Sequence, residues 1–341
     1  MLKMMQLPVS GVLCFAYQAT KQLFLRLNRG LAKGKDFLHT LAYVLANNFI
    51  DPSINHGKAS ISVALCTFTR IKIKLKMQYH GALHKMSTQY GSTVRYTLKV
   101  GGDLLLMNAL IGREFSATFL GEHICFCGQL VPEVYRQNFC RECFFTKPEA
   151  SPTIMKPELS KAHLGIAERD LEFEQRLQLQ PHFVYLAKTD RIKVGVTRGT
   201  QRPYRWMDQG AAEAAVLLEL PNRYLAGEAE VALKEYFTDK TSWQAMLRND
   251  PCSDALEDAW HRALEVLPQS LKQYAVDGPE VWSMNYPIAE QLLKIKSLSF
   301  KEKGDTFSGK LLGIRGQYLM LENGVFNVRA HHGHRVDLEI R

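Results

Sequence analysis

The chain has 341 residues, of which 46% are hydrophobic and 23% charged, a globular, soluble composition with room for two or three modest domains and no repeat or low-complexity tract. The formal net charge of +9 is carried entirely by residues 1–76, which hold 11 Lys and Arg against Asp36 and Asp51. The remaining 265 residues hold 32 bases and 32 acids, so global charge gives the body no support for polyanion binding. Seven cysteines, an odd number with four of them clustered, argue against a disulfide scaffold and for reduced thiols in the cytoplasm.

The longest apolar stretches of the N-terminal part, Leu7–Tyr17 and Phe37–Ile50, are shorter than the ~18–20 residues that cross a bilayer, so no membrane partner is expected. Residues 1–76 read either as a basic targeting-type extension or as a disordered stretch outside the true protein, with Met77 as the start. Regular patterning begins just after Met77. From Gln78 to about Leu130 the text is strand-like: Val94–Val100 alternates, Gly101-Gly102-Asp103 turns, Leu104–Leu110 resumes, and Phe115–Leu120 runs toward Gly121.

Directly after this ribbon come Cys125 and Cys127, then Cys140 and Cys143. Two closely spaced pairs of thiolates joined by a short loop supply four soft ligands to a tetrahedral ion and leave no open position, which is the signature of structural rather than catalytic Zn²⁺. A redox pair at Cys140 and Cys143 is the competing reading, and it leaves the first pair unexplained. Gly128 permits the sharp first knuckle, and His123 is a spare ligand next to it.

Pro148, Pro152 and Pro157 mark a linker, followed by a predicted helix over Lys161–Leu179. Phe183–Ala187 and Ile192–Val196 read as a hairpin. A helix from about Gln201 to Gln209, a strand near Ala215–Leu220, and helices at Ala226–Phe237, Asp254–Val266 and Ile288–Lys296 follow. The tail is strand-rich, with Leu311–Ile314, Gln317–Leu321, an Asn323-Gly324 turn, Val325–Val328 and Val336–Ile340. His331, His332 and His334 read as an exposed turn, with metal binding as the alternative. The expected fold class is α+β. Its parts are a β-rich zinc-binding domain at 77–150, a central α/β module with helical flanks at 151–270, and a C-terminal β-rich unit at 271–341 that packs back on the ribbon.

Phe183-Val184-Tyr185 on the first hairpin strand, Lys193-Val194-Gly195 on the second, Arg205 on the next helix and a later helical glutamate stand in order. This constellation, over residues 182–247, resembles the GIY-YIG nuclease superfamily. The first motif keeps its tyrosine; the second keeps its glycine and loses its tyrosine. Arg202 rivals Arg205 for the arginine role. Periodicity selects the glutamate: Ala226, Leu233 and Phe237 share one buried stripe and Glu230 lies at its edge, about 40° from Ala226, while Glu228 and Glu235 point to solvent. An i,i+4 ion pair between Glu230 and Lys234 is the competing reading.

The resemblance implies metal-dependent phosphodiester cleavage of DNA or RNA. Glu230 holds a Mg²⁺ ion, Arg205 neutralises charge on phosphorus, and Tyr185 orients or deprotonates the attacking water. Six bases between Lys188 and Arg205 against one acid form a local patch suited to phosphates. Lys188, Lys193, Arg198 and Arg202 are its binding candidates, together with Gly195 for close backbone approach and Trp206 for base stacking. A solvated hairpin face and a core tryptophan are the plainer alternatives, and a non-catalytic binding protein or an interaction scaffold are the competing functions.

Five stretches carry a second resemblance: Cys125-Phe-Cys127-Gly128, Cys140-Arg-Glu-Cys143, Lys193–Thr197, Arg205–Ala211 and Gly313–Tyr318. Through them the body from about Met77 onward is similar to domain-of-unknown-function family 2797. That likeness implies a bacterial intracellular setting and supplies no activity.

Overall fold

The computed structural model describes residues 76–238, 241–248, 252–292 and 295–341. The expectations for residues 1–75 lie outside the described residues. Residues 74–341 make one unit, and its described part is mixed α+β with three sheets.

The largest sheet draws on both ends of the unit. Its strands are β1 (Met77–Ala82), β5 (Glu114–Ile124), β6 (Leu130–Val131), β11 (Ser297–Leu298), β12 (Thr306–Arg315), β13 (Tyr318–Leu321), β14 (Gly324–Asn327) and β15 (His334–Ile340). They lie in the order β1-β15-β5-β12-β13-β14-β11, with β6 on the end of β5. The alternating text of Phe115–Leu120 is the visible half of β5: Phe115, Ala117 and Phe119 point inward and the residues between them are less covered. Because β5 is flanked by β15 and β12, stretches 77–150 and 271–341 both contribute strands to this sheet.

A second sheet, β2 (Ser87–Gln89), β3 (Arg95–Val100) and β4 (Asp103–Leu106), is the ribbon foreseen from the alternation at Val94–Val100. The third contains β7 (His182–Lys188), β8 (Ile192–Arg198), β9 (Glu213–Leu220) and β10 (Trp282–Ser283) in the order β10-β9-β7-β8. Here β7 and β8 are the expected hairpin, in register with Tyr185 opposite Gly195. One face of this sheet contributes Tyr185 and Ala187 to a core shared with Phe115, Phe119, Ile314 and Leu338 of the large sheet. The other contributes Val184 and Leu186 to a core under two helices.

The helices are short: α1 (Arg141–Thr146), α2 (Pro152–Met155), α3 (Leu171–Gln178), α4 (Tyr204–Asp208), α5 (Arg223–Leu233), α6 (Trp243–Arg248), α7 (Leu256–Val266) and α8 (Gln269–Lys272). Asn222 caps α5 by accepting the Leu225 amide, and Asp170 caps α3 by accepting that of Phe173. The helix predicted over Lys161–Leu179 is broken. A 3-10 turn at Ala162–Leu164 ends on Gly165 in the left-handed region, and α3 starts afresh at Leu171. The segment at Ile288–Lys296 is not helical in its described residues. Ile288 bridges Gly313, and the Ala289 amide donates to Leu312 O at 2.8 Å. Its apolar residues Leu292 and Ile295 pack beside Met320 and Val325, and that tertiary demand overrides the helical spacing.

Candidate functional site

Two places gather chemistry. The first lies where β5 ends. Cys125 follows Ile124, the chain turns back with the Gly128 amide donating to Cys125 O at 2.8 Å, and Gly128 takes a φ of 87°. Cys140 caps α1 and Cys143 lies inside it, one helical turn on. Their four sulfurs all lie within 4.8 Å of one another. Ligands about 2.3 Å from a tetrahedral zinc ion sit ~3.8 Å apart, so the set closes on such an ion by small side-chain rotations. The Cys140 amide donates to Cys125 Sγ at 3.1 Å. Burial pushes the Cys125 thiol up, yet this amide and the neighbouring amide and thiols of the cluster outweigh it and bring the thiol down to about 7. Cys143 moves the other way, pushed up to about 12 by burial and by the crowding of the other three sulfurs. Four thiols so placed cannot all ionise without a cation. Phe139 and Ala150 close the cluster on its apolar side.

His123 does not join this set. Its Nδ1 lies 3.1 Å from Pro132 O and its ring packs on Phe119 and His334. The exposed histidine turn foreseen at 331–334 is also corrected. His331 is buried against Phe300 and Phe326, with Nδ1 on Asn327 O and Nε2 accepting the Phe300 amide. With both nitrogens engaged, it is a core histidine.

The second place is the β7/β8 hairpin, on the face that packs toward the large sheet. Tyr185, at the middle of β7, is buried, and its phenol donates to Gln209 Oε1 at 3.2 Å. Burial raises its pKa, while the guanidinium of Arg205 opposes that rise and the carboxylate of Glu230 adds to it. The fields of Arg205 and Glu230 therefore meet at one phenol, although the three residues come from three elements. Glu230 sits on α5 with its side chain 12% exposed, 3.6 Å from Lys234 Nζ. Burial lifts its pKa, Lys234 pulls it back, Glu158 raises it further, and Arg223 lowers it. Arg223 is itself held by Thr153 O and Ile154 O at 3.0 and 2.7 Å.

Gly195 has a reason other than substrate approach. A Cβ there would lie 2.6 Å from the Tyr185 hydroxyl, so glycine is what lets the ring lie across β8. Lys193 is buried and donates to Thr241 Oγ1 at 3.2 Å. The basic patch read from the sequence is also dispersed. Lys188 lies 3.9 Å from Glu213, and the Arg202 guanidinium stacks 3.9 Å from the Phe183 ring centroid. Arg198 is half-buried. Trp206 is buried edge-on to Tyr185 and Trp282, the core role rather than a stacking platform.

Sequence reading missed the polar lock behind this face. Asp208 of α4 takes Lys85 on Oδ2 and Gln317 Nε2 on Oδ1, the latter at 2.8 Å. Arg315 donates to Gly210 O at 2.9 Å and to Met246 O at 2.8 Å. Gln317 also holds both the amide and the carbonyl of Met86. The signal was present: Arg205–Ala211 and Gly313–Tyr318, distant in sequence, are the two stretches that dock here.

Among the described residues, no helix is long and apolar enough to cross a membrane. No curated protein and no solved structure matches the chain. The family described as Protein of unknown function (DUF2797) matches residues 112–336, from the start of β5 through the knuckle, the hairpin and the tail, and the chain belongs to that family.

Proposed function

We propose that this protein processes nucleic acid by metal-dependent phosphodiester cleavage at a divergent GIY-YIG-like site, in the cytoplasm, with structural Zn²⁺ in the Cys125–Cys143 knuckle. The observation that carries the reading is the convergence of the fields of Arg205 and Glu230 on the Tyr185 phenol, on a hairpin followed by the arginine helix, a strand and the glutamate helix. A Mg²⁺ ion on Glu230 would polarise the scissile phosphate. Arg205 would neutralise charge on the phosphate oxygens. Tyr185, kept protonated by burial and donating its hydroxyl to Gln209, would position that side chain and is no general base.

A binding protein without catalysis is the second reading, and Lys193 favours it. The position that would carry the second tyrosine is filled by an ammonium turned toward Thr241. The two separate in one experiment. The full chain is incubated with labelled branched, duplex and single-stranded DNA and RNA, with and without Mg²⁺. Mg²⁺-dependent cutting that disappears in Glu230→Ala and Arg205→Ala supports the enzyme. Cutting that persists in Glu230→Ala removes the assignment, and salt-sensitive binding without cutting selects the binding protein.

A further inference from the structure

We propose that Arg329, Trp243 and Tyr318 form a subsite beside the hairpin site that holds one nucleotide of a single-stranded segment, its phosphate on the guanidinium and its base on the aromatic pair. The inference rests on the nucleic-acid reading above and adds to it the strandedness of the substrate and residues outside the hairpin module.

A cavity of about 200 Å³ opens next to Gln209, the residue that accepts the Tyr185 hydroxyl, so one side chain is shared by the cavity and the hairpin site. Its walls include Trp243 at the start of α6, Tyr318 at the start of β13, and Arg329 in the 3-10 turn between β14 and β15. Trp243 and Tyr318 are stacked, with ring centroids 5.8 Å apart and planes within 11°, and both remain half-buried at the wall. The cavity is smaller than the ~300–1,000 Å³ of a drug-sized site and suits a single planar ring.

Charge selects the ligand. Arg329 is exposed, and among the described residues its guanidinium makes no hydrogen bond or ion pair. Its charged neighbours are Arg205, a like charge, and Asp208, an opposite one. Asp208 offsets it only in part, because its carboxylate is ion-paired with Lys85 and also accepts from Gln317. With Arg329 on the cavity wall, the like charge of Arg205 acting on it, and Asp208, the carboxylate of the same wall, already paired with Lys85, the wall calls for an anion. A neighbouring stacked aromatic pair calls for a flat ring on that anion. A nucleotide supplies both, and only an unpaired base can offer its face to the wall, because in a duplex both faces are already stacked.

The test uses the full chain, dye-labelled single-stranded DNA and RNA 12-mers, and a hairpin duplex of matched sequence, with anisotropy read at several salt concentrations without Mg²⁺. Wild type should prefer the single strands. Arg329→Gln should weaken that binding about five- to tenfold and flatten the slope of log K against log salt by about 0.7, the loss of one phosphate contact. Trp243→Leu should weaken it at least about fivefold. Arg113→Gln, an equal loss of charge at another exposed position, should change neither. Melting curves confirm that each variant is folded; the Arg329 arm decides the matter if Trp243→Leu is not. Binding that is intact in Arg329→Gln, or lost equally in Arg113→Gln, overturns the subsite and leaves the proposed function standing. Absence of nucleic-acid binding by wild type overturns both.

Discussion

The cysteine knuckle and the hairpin site are assembled in opposite ways. The knuckle uses one short stretch of chain, in which a turn at Gly128 and the first turn of α1 suffice to bring four sulfurs within 4.8 Å. The candidate hairpin site draws on Tyr185 of β7, Arg205 of α4 and Glu230 of α5, and its floor is braced by Lys85 from the loop between β1 and β2 and Gln317 from the turn between β12 and β13. A locally encoded site depends on its ion and little else. A site encoded by packing depends on every element that docks against it. The two therefore answer differently to perturbation.

The largest effect should come from the ion. Cys143→Ser should lower bound zinc from one equivalent to none and remove several kcal/mol of stability, since four-thiolate binding energy is folding energy for a segment with a small apolar cluster of its own. Elemental analysis and chelator-dependent melting read this directly. Arg205→Ala, by comparison, should abolish cutting with little change in melting temperature. If both variants damaged the fold equally, the contrast between a metal-held and a packing-held site would be wrong.

Next in size is Gly227→Ala in α5. Helix propensity favours alanine by roughly 1 kcal/mol. The new Cβ would nevertheless lie 2.3 Å from the Glu158 amide nitrogen and 2.6 Å from the Pro157 carbonyl carbon, which are backbone atoms with no side-chain freedom to yield. Overpacking should win and leave the variant destabilised by about 1–3 kcal/mol. Because the same helix carries Glu230 one turn later, cutting should fall as well. A neutral melting curve would show that the 157–159 turn yields without loss, and that the site tolerates shifts of its helix.

These contrasts also explain what could be read from the chain. Cysteine spacing announced the knuckle because ligand geometry is a local code. The β7/β8 hairpin and the inward lean of Glu230 against the exposed Glu228 were legible because strand alternation and the 100° helical step are local too. Arg329 was not legible. It is one more base in a tail without motif, and it gains meaning only when the pairing of β13 with β12 and β14 brings it toward α4 and α6. The dispersal of the hairpin bases is the same lesson with the opposite sign. Proximity in sequence suggested one patch for Lys188, Lys193 and Arg202, and packing gave each a separate partner.

The third effect is a pH dependence carried by His182, the first residue of β7. The side chain is fully buried, with Nδ1 2.8 Å from Gln180 O and Nε2 without a partner among the described residues. Burial, with Arg223 and Arg198 adding to it, pushes its pKa down to about 4. Folded His182 thus stays neutral where the unfolded residue, with a pKa near 6.5, takes up a proton. Stability is lost as pH falls below about 6.5, by about 2 kcal/mol at pH 5. His182→Asn, which does not titrate there, should flatten the fall in melting temperature between pH 7 and 5. An unchanged slope would place the acid sensitivity elsewhere, for example at His334, pushed down to about 3 by burial and by His123 and His331.

The smallest effect is the most discriminating for the hairpin site. Burial raises the pKa of Glu230 even though Lys234 lies 3.6 Å away, so the fold favours the protonated carboxyl. That preference is fully present below the ordinary carboxylate range and is lost as pH rises through the raised value. Above that raised value the wild type carries an ionised carboxylate at some expense to stability. Glu230→Gln should melt slightly higher at pH 7 and equal to wild type near pH 4. A cation bound to Glu230 reverses the order, because it favours the charged form that the fold disfavours. Mg²⁺ should raise the melting temperature of wild type at pH 7 and leave Glu230→Gln unmoved. If Glu230→Gln instead melts lower at pH 7 and Mg²⁺ shifts both proteins alike, Glu230 is the ion-pair partner of Lys234 and no more, and the second site loses the residue that its chemistry requires.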